Sequence, residues 1–305
     1  MKSSYLLSIS LLITIGFACK KESTVNPTSN EVTISPPNEL DNHPIAISSD
    51  WFDISYDSSG IYILEEPSSS EKNVSYLIIG NNNSLMYDTG TGENPEVNNT
   101  HIKYLLDSIT TTPIELLLSH FHYDHSQNID EFDYVIFPEL NFLQASIGID
   151  SIYNFTSQDL SYGSTPSSVK INEWIALNTE FGIGGKSLKI ISTPGHSRES
   201  ITLIDLTNEI AFLGDFLYND WLIFFDNQDL SAAIESIDLI LSQTNSNYKL
   251  FGAHGSPEVN YDKLYTYRDF LSCILSGNCT GTDTQLFGSP CVQYTYQGMT
   301  IILFQ

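Results

Sequence analysis

Four potential metal ligands fall within six consecutive residues of the segment Ser119-His-Phe-His-Tyr-Asp-His125, and three more, His196, Asp215 and His254, follow at wide intervals. A fold that uses them together must bring distant stretches of chain to one point. The surrounding pattern says how. Short apolar runs at 76–79, 84–87, 114–118, 134–137, 188–191, 201–204, 210–213 and 249–251, separated by turn residues, predict strands. Asp88, His120, His196, Asp215 and His254 each follow the carboxyl end of one of these runs. Side chains delivered from strand ends onto loops can converge in one crevice backed by a rigid sheet. Helical spacing appears over 101–109 and at Leu230, Ala233, Ile234, Ile237 and Leu241, with Asp229 as the expected N-cap, and a third helix is expected from about 260 to 275. Strands and helices mixed in this way predict a layered α/β domain.

Imidazole and carboxylate groups suit Zn2+, with Fe or Mn as alternatives. Structural zinc sites close four ligands around one ion and lean on cysteine, so seven sulfur-free donors point to catalysis. His120 and His122, two residues apart, can face one side, while Asp124 and His125 turn toward a neighbouring position. That pattern suits two ions, with a carboxylate such as Asp215 bridging them at about 3.5–4 Å. A hydroxide shared by the ions would be available near neutral pH, because zinc lowers the pKa of bound water to about 7. No serine or cysteine nucleophile is then needed. Asp88, in Tyr-Asp-Thr-Gly90, suits acceptance of a hydrogen bond from a ligating imidazole. His43 and His101, the remaining histidines, read as ordinary surface residues.

With 12 basic against 37 acidic residues, a formal charge of -25, the chain repels nucleic acid and anionic membrane surfaces. Cleavage of nucleic-acid phosphodiesters is disfavoured for the same reason. Residues 1–19 read as an export signal: Lys2 gives a positive start, 5–17 is largely apolar, and Gly-Phe-Ala-Cys19 puts small residues before a cysteine. This resembles a bacterial lipoprotein signal with Cys19 as the lipid anchor, a plain cleaved signal being the alternative. The apolar run is too short to span a bilayer. Residues 20–44, rich in Ser, Thr, Asn and Pro, read as a flexible tether, and 45–305 as a single catalytic domain. The expectation is an exported, membrane-anchored protein, periplasmic or at the cell surface. Cys273, Cys279 and Cys291 allow one disulfide, and spacing alone leaves the pair open.

The Asp-Thr-Gly90 turn, the His120 to His125 block, Thr-Pro-Gly-His196-Ser, Leu-Gly-Asp215 and Gly-Ala-His254-Gly together resemble the metallo-β-lactamase superfamily. The resemblance implies a four-layer αβ/βα sandwich. It also implies one metal held by His120, His122 and His196, a second by Asp124, His125 and His254, and Asp215 between them. Antibiotic-hydrolysing members commonly have Cys or Ser where Asp215 stands, so the chain is more similar to glyoxalase II, lactonases and related hydrolases. No Lys or Arg occurs between Arg198 and Lys249 to grip a substrate carboxylate. Oxygen-reducing di-iron relatives typically have Glu where His122 stands and carry a flavin domain.

The stretch from Gly214 to Phe225 is similar to acyl-CoA thioesterase-like members, and Tyr218 matches a tyrosine that lactonases hold near the substrate carbonyl, where it would donate to the oxyanion. The alternative is an aromatic packed beneath the site. Asp124, Tyr218 and Asp88 are the candidate catalytic residues. Trp221, Phe224 and Phe225 are candidates for an apolar acyl pocket or for core, and Arg198 for a substrate contact or an acidic partner. The function expected is zinc-dependent hydrolysis of a small ester, thioester or lactone, with a phosphodiesterase or β-lactamase of the same fold as the alternative and a non-catalytic cell-surface metal-binding or interaction protein as the alternative from another class.

Overall fold

The computed structural model describes residues 49–95, 100–148, 150–161, 163–219, 221–224 and 227–305. The signal, Cys19, the tether, His43 and Phe225 lie outside them. β1 (Asp53–Asp57), β2 (Ile61–Glu65), β3 (Val74–Ile79) and β4 (Ser84–Tyr87) form an antiparallel meander. α1 (Ile102–Ile109) carries the chain back, so that β5 (Ile114–Leu117) pairs parallel to β4. After α2 (Tyr123–Ser126), β6 (Val135–Pro138) pairs parallel to β5. α3 (Asn141–Ala145) and a small hairpin of β7 (Ile152–Asn154) and β8 (Ser168–Lys170) precede β9 (Glu173–Ile175), the seventh strand of this sheet.

The second sheet contains β10 (Glu180–Gly182), β11 (Ser187–Ser192), β12 (Ile201–Asp205) and β13 (Ile210–Phe212), each antiparallel to the one before it. The chain leaves through β14 (Trp221–Phe224) and α4 (Asn227–Gln243), then returns as β15 (Lys249–Phe251), parallel to β13, and β16 (Glu258–Val259). α5 (Lys263–Leu275) leads to a meander of β17 (Thr282–Leu286), β18 (Ser289–Tyr296) and β19 (Met299–Phe304), and β14 pairs parallel to β19 to complete this third sheet.

Strand alternation sorts the side chains into layers. Leu85 and Tyr87 of β4 meet Leu203 and Phe212 of the second sheet in a central core, whereas Met86 between them packs with Leu105 and Leu106 of α1. On the far side, Ile204, Ala211 and Leu250 meet Ala233 and Ile237 of α4 and Tyr267 and Leu271 of α5. The order is therefore helix, sheet, sheet, helix. Each large side chain enclosed in these layers contributes about 1.5–3 kcal/mol.

All eight expected strands are present, but β1, β2, β7 to β10, β14 and β16 to β19 were not foreseen. α4 begins at Asn227, so Asp229 lies in its first turn and is not its cap. An acid there still faces the positive end of the helix dipole. His101 precedes α1 at the surface, with its partly exposed ring holding Nδ1 3.1 Å from Glu131 Oε1. Arg198 lays its guanidinium over the Phe142 ring at 3.6 Å, a third outcome beside the two left open. Cys273 and Cys279 form the disulfide, and Cys291 is a buried free thiol.

Candidate metal centre

The seven candidate ligands come together on loops at the carboxyl ends of their strands, and all are buried. His120 and His122 follow β5, Asp124 and His125 lie in α2, His196 follows β11, Asp215 follows β13 within a short 3-10 turn, and His254 follows β15. They form two groups: His120, His122, His196 and Asp215, and Asp124, His125, His254 and Asp215. Within each group the ligand atoms lie within 4.8 Å of one another.

Asp215 divides its carboxylate between them. Its Oδ1 is 2.9 Å from His254 Nε2 and 3.2 Å from His125 Nε2. Its Oδ2 is 3.4 Å from His196 Nε2 and 3.8 Å from His120 Nε2. The carboxylate of Asp124 serves one group alone, with Oδ2 3.2 Å from His125 Nε2 and 3.6 Å from His254 Nε2.

The outward nitrogens fix the tautomers. His196 Nδ1 donates to the Ile223 carbonyl at 3.1 Å, and His254 Nδ1 to the Glu71 carbonyl at 2.9 Å. His125 Nδ1 lies 3.1 Å from Asp88 Oδ2, and His120 Nδ1 2.9 Å from Ser119 Oγ, which itself donates to Asp88 Oδ2 at 2.7 Å. With the protons on Nδ1, the Nε2 lone pairs of these four rings face the centre. His122 is reversed: its Nδ1 approaches His196 Nε2 at 2.9 Å. One proton between the two ring nitrogens makes this a hydrogen bond, and with both nitrogens bare a shared cation would take its place. His120 Nε2 is buried and makes no hydrogen bond. A buried polar nitrogen left unpaired is costly, and a coordinated cation would satisfy it. The donor set and this orphaned nitrogen both fit divalent metal ions.

Charge balance says the same. Burial alone would push Asp215 and Asp124 up, but the neighbouring rings, His254 and His125 for Asp215 and His125 first for Asp124, outweigh it and hold both below the usual carboxylate range. Burial likewise opposes charge on His254, yet Asp215 raises it to about 9, and His125 rises for the same reason. Burial, with neighbouring rings adding to it, depresses His120 and takes His122 down to about 3, and burial lowers His196 despite Asp215. These electrostatics favour an extra proton on His254 and His125 while no metal is bound, and divalent ions would displace those protons and take up the Nε2 lone pairs.

Several supporting residues went unread in the sequence. Ser119 donates its backbone N–H to Asp88 Oδ1 at 2.6 Å and its hydroxyl to Asp88 Oδ2. Asn73 Nδ2 donates to the Asp124 carbonyl at 2.6 Å. Buried Glu199 accepts from the Phe121 N–H at 3.1 Å and from Ser197 Oγ at 3.0 Å, tying the His120 to His125 loop to the His196 loop. Gly214, at φ +56, lets the Asp215 turn pass Ser119; a Cβ there would lie 2.6 Å from Ser119 Cβ. Glu71 acts through its carbonyl, for which a sequence carries no signal.

Five of the seven ligands, His122, Asp124, His196, Asp215 and His254, sit in the wall of a cavity of about 1340 Å3, which Glu71, Lys72, Tyr218 and Trp221 also line, while His120 and His125 lie behind it. Tyr218 packs against His254, ring centroids 4.8 Å apart. Trp221 is exposed, whereas Phe224, proposed for the same pocket, is 1% exposed and belongs to the core. β14 explains both, because alternate residues of one strand face opposite sides. Lys72 supplies the cation that the segment after Arg198 lacks, from a loop distant in sequence.

Comparison with known proteins agrees with this geometry. The family model described as "Metallo-beta-lactamase superfamily" matches residues 71–248. The chain is 24% identical over 231 residues to the acyl-coenzyme A thioesterase MBLAC2 of Gallus gallus, covering 67% of this chain and 83% of that protein. It superposes on a metallo-beta-lactamase from Erythrobacter litoralis with a TM-score of 0.54 at 14% identity, covering 74% of this chain and 98% of the other. The BLEG-1 B3 metallo-beta-lactamase gives a TM-score of 0.52 at 18% identity, with 69% and 99% covered. At these identities the superpositions speak for the fold alone.

Proposed function

The chain belongs to the metallo-β-lactamase superfamily of hydrolases, and from that premise we propose that it is a zinc-dependent enzyme that cleaves a small ester, thioester or lactone. The observation that carries the reading is the convergence of seven sulfur-free donors in two groups that share one carboxylate, five of them on the wall of a cavity large enough for a substrate. His120, His122 and His196 would hold one ion, Asp124, His125 and His254 the other, and Asp215 both. Bound divalent cations supply Lewis-acid polarisation of a carbonyl and a nucleophile drawn from water at neutral pH. The rest falls to the chain. Asp88 keeps the His125 proton on Nδ1 and, through Ser119, that of His120. Tyr218 faces the cavity; burial, with Asp215 adding to it, pushes its hydroxyl well above the ordinary range, so it stays protonated and able to donate to a developing oxyanion.

The thioesterase relatives support an acyl substrate. Several phosphates, as on an acyl-coenzyme A, would find little to hold them, because Lys72 is the one Lys or Arg among the described cavity-lining residues. We read residues 1–44 as an export signal and tether, with a lipid anchor at Cys19, on sequence alone. The test is metal analysis together with wild type, His122→Ala and Asp124→Ala assayed on p-nitrophenyl esters, thioesters, lactones and nitrocefin. Hydrolysis of the acyl compounds that both substitutions abolish is expected; activity surviving both would overturn the proposal.

A further inference from the structure

One wall of the cavity comes from a part of the chain that carries no ligand. In the third sheet, Leu222 and Phe224 of β14 and Ile301 and Leu303 of β19 point into the helical core. Their alternates and the adjoining hairpin take the other side: Trp221, Ile223, Leu286, Phe287, Pro290 and Phe304 line the cavity that also holds the ligands. Trp221 is 52% exposed and Phe287 78%.

Phe287 is the informative residue. Leu286 pairs with Ser289, leaving a two-residue turn in which Phe287 has φ +50 and Gly288 φ +81. Turns with two positive φ values favour Asn-Gly, because a bulky side chain is strained in the left-handed region. The next hairpin of the same sheet makes the same turn with polar Gln297 at φ +47 and Gly298 at φ +83. Backbone strain and an exposed ring both act against phenylalanine at position 287. A ligand that covers the ring would offset them, and such strain points toward a functional role.

We infer that the third sheet is a platform for the hydrocarbon chain of the substrate, an inference that rests on the hydrolase reading above. The cavity is polar at the ligands and apolar along Trp221 and Phe287, which suits a straight-chain acyl group with its carbonyl at the metal centre. Trp221, Ile223, Leu286, Phe287, Pro290 and Phe304 carry no charge, so the group this wall selects is neutral and apolar. Phe287 sets the preference for chain length.

The experiment compares p-nitrophenyl acetate, butyrate and octanoate on the metal-loaded protein, for wild type, Phe287→Asn, Trp221→Ala and, as a control, Gln297→Asn. Asparagine suits the left-handed turn, so Phe287→Asn does not threaten the fold. Wild type and Gln297→Asn are expected to favour octanoate over acetate in kcat/KM by about tenfold or more, a preference that Phe287→Asn and Trp221→Ala reduce to near parity. Calorimetric binding of decanoate reads the wall independently of turnover and should weaken about tenfold in Phe287→Asn. Esters cleaved without length preference, together with decanoate binding indifferent to Phe287, would overturn the inference and leave the hydrolase reading intact. Binding of decanoate that depends on Phe287, with no ester cleaved, would sustain the platform and remove the hydrolase reading.

Discussion

Asp88 and His125 meet at 3.1 Å, Oδ2 to Nδ1, in nearly complete burial. Asp88 reaches that position from a left-handed backbone at φ +66, a conformation that Asp and Asn tolerate better than other residues with a Cβ. The same carboxylate receives the Ser119 N–H and hydroxyl, so one side chain orients ligands of both groups. Asp88→Asn keeps the backbone and the shape and removes one acceptor. Metal affinity, measured by chelator competition, should fall about 10–100-fold, with little change in melting temperature.

Gly214 separates β13 from the ligand Asp215, and an added Cβ would press on Ser119, which steadies His120. Gly214→Ala should destabilise the protein by about 1–3 kcal/mol in chemical denaturation and weaken metal binding as well. A purely local effect on the turn would leave the metal affinity unchanged.

Stability of the metal-free protein should be bell-shaped in pH. His122, held at about 3 in the fold against 6.5 unfolded, takes up fewer protons folded than unfolded, so stability rises with pH up to about 6.5. His254, raised to about 9, contributes stability that is complete below 6.5 and lost as pH climbs through 9. The melting temperature should therefore peak near pH 6.5. Metal requires both rings neutral, so the stabilisation that metal adds should grow between pH 6.5 and 9.

Much of the centre was legible because its ligands follow strands whose apolar runs are unmistakable, as with Leu116 and Leu117 before His120 or Phe251 before His254. The third sheet was not legible. β17 reads Thr-Asp-Thr-Gln-Leu, mostly polar, and the Phe-Gly turn lacks the Asn-Gly signal of a two-residue hairpin. The sequence leaves Trp221 and Phe224 open between pocket and core, and strand alternation sends the first into the cavity and the second into the core. Lys72 and Asn73 reach the site from the β2–β3 loop, distant in sequence from every ligand, so only the fold reveals them.

Tyr218→Phe keeps the ring packed on His254 and deletes the hydroxyl. If the hydroxyl donates to the oxyanion, kcat on the best acyl substrate should fall about 100–1000-fold with KM nearly constant. A packing role alone would leave kcat within a few-fold of wild type.

The most direct test follows hydrolysis of a p-nitrophenyl ester while chelator-stripped protein is titrated with Zn2+. Activity should be absent at the start and reach its plateau as two equivalents bind, with Asp215→Ala failing to bind the second. Undiminished hydrolysis by the stripped protein, or saturation with zinc that brings no hydrolysis of any acyl compound, would contradict the account.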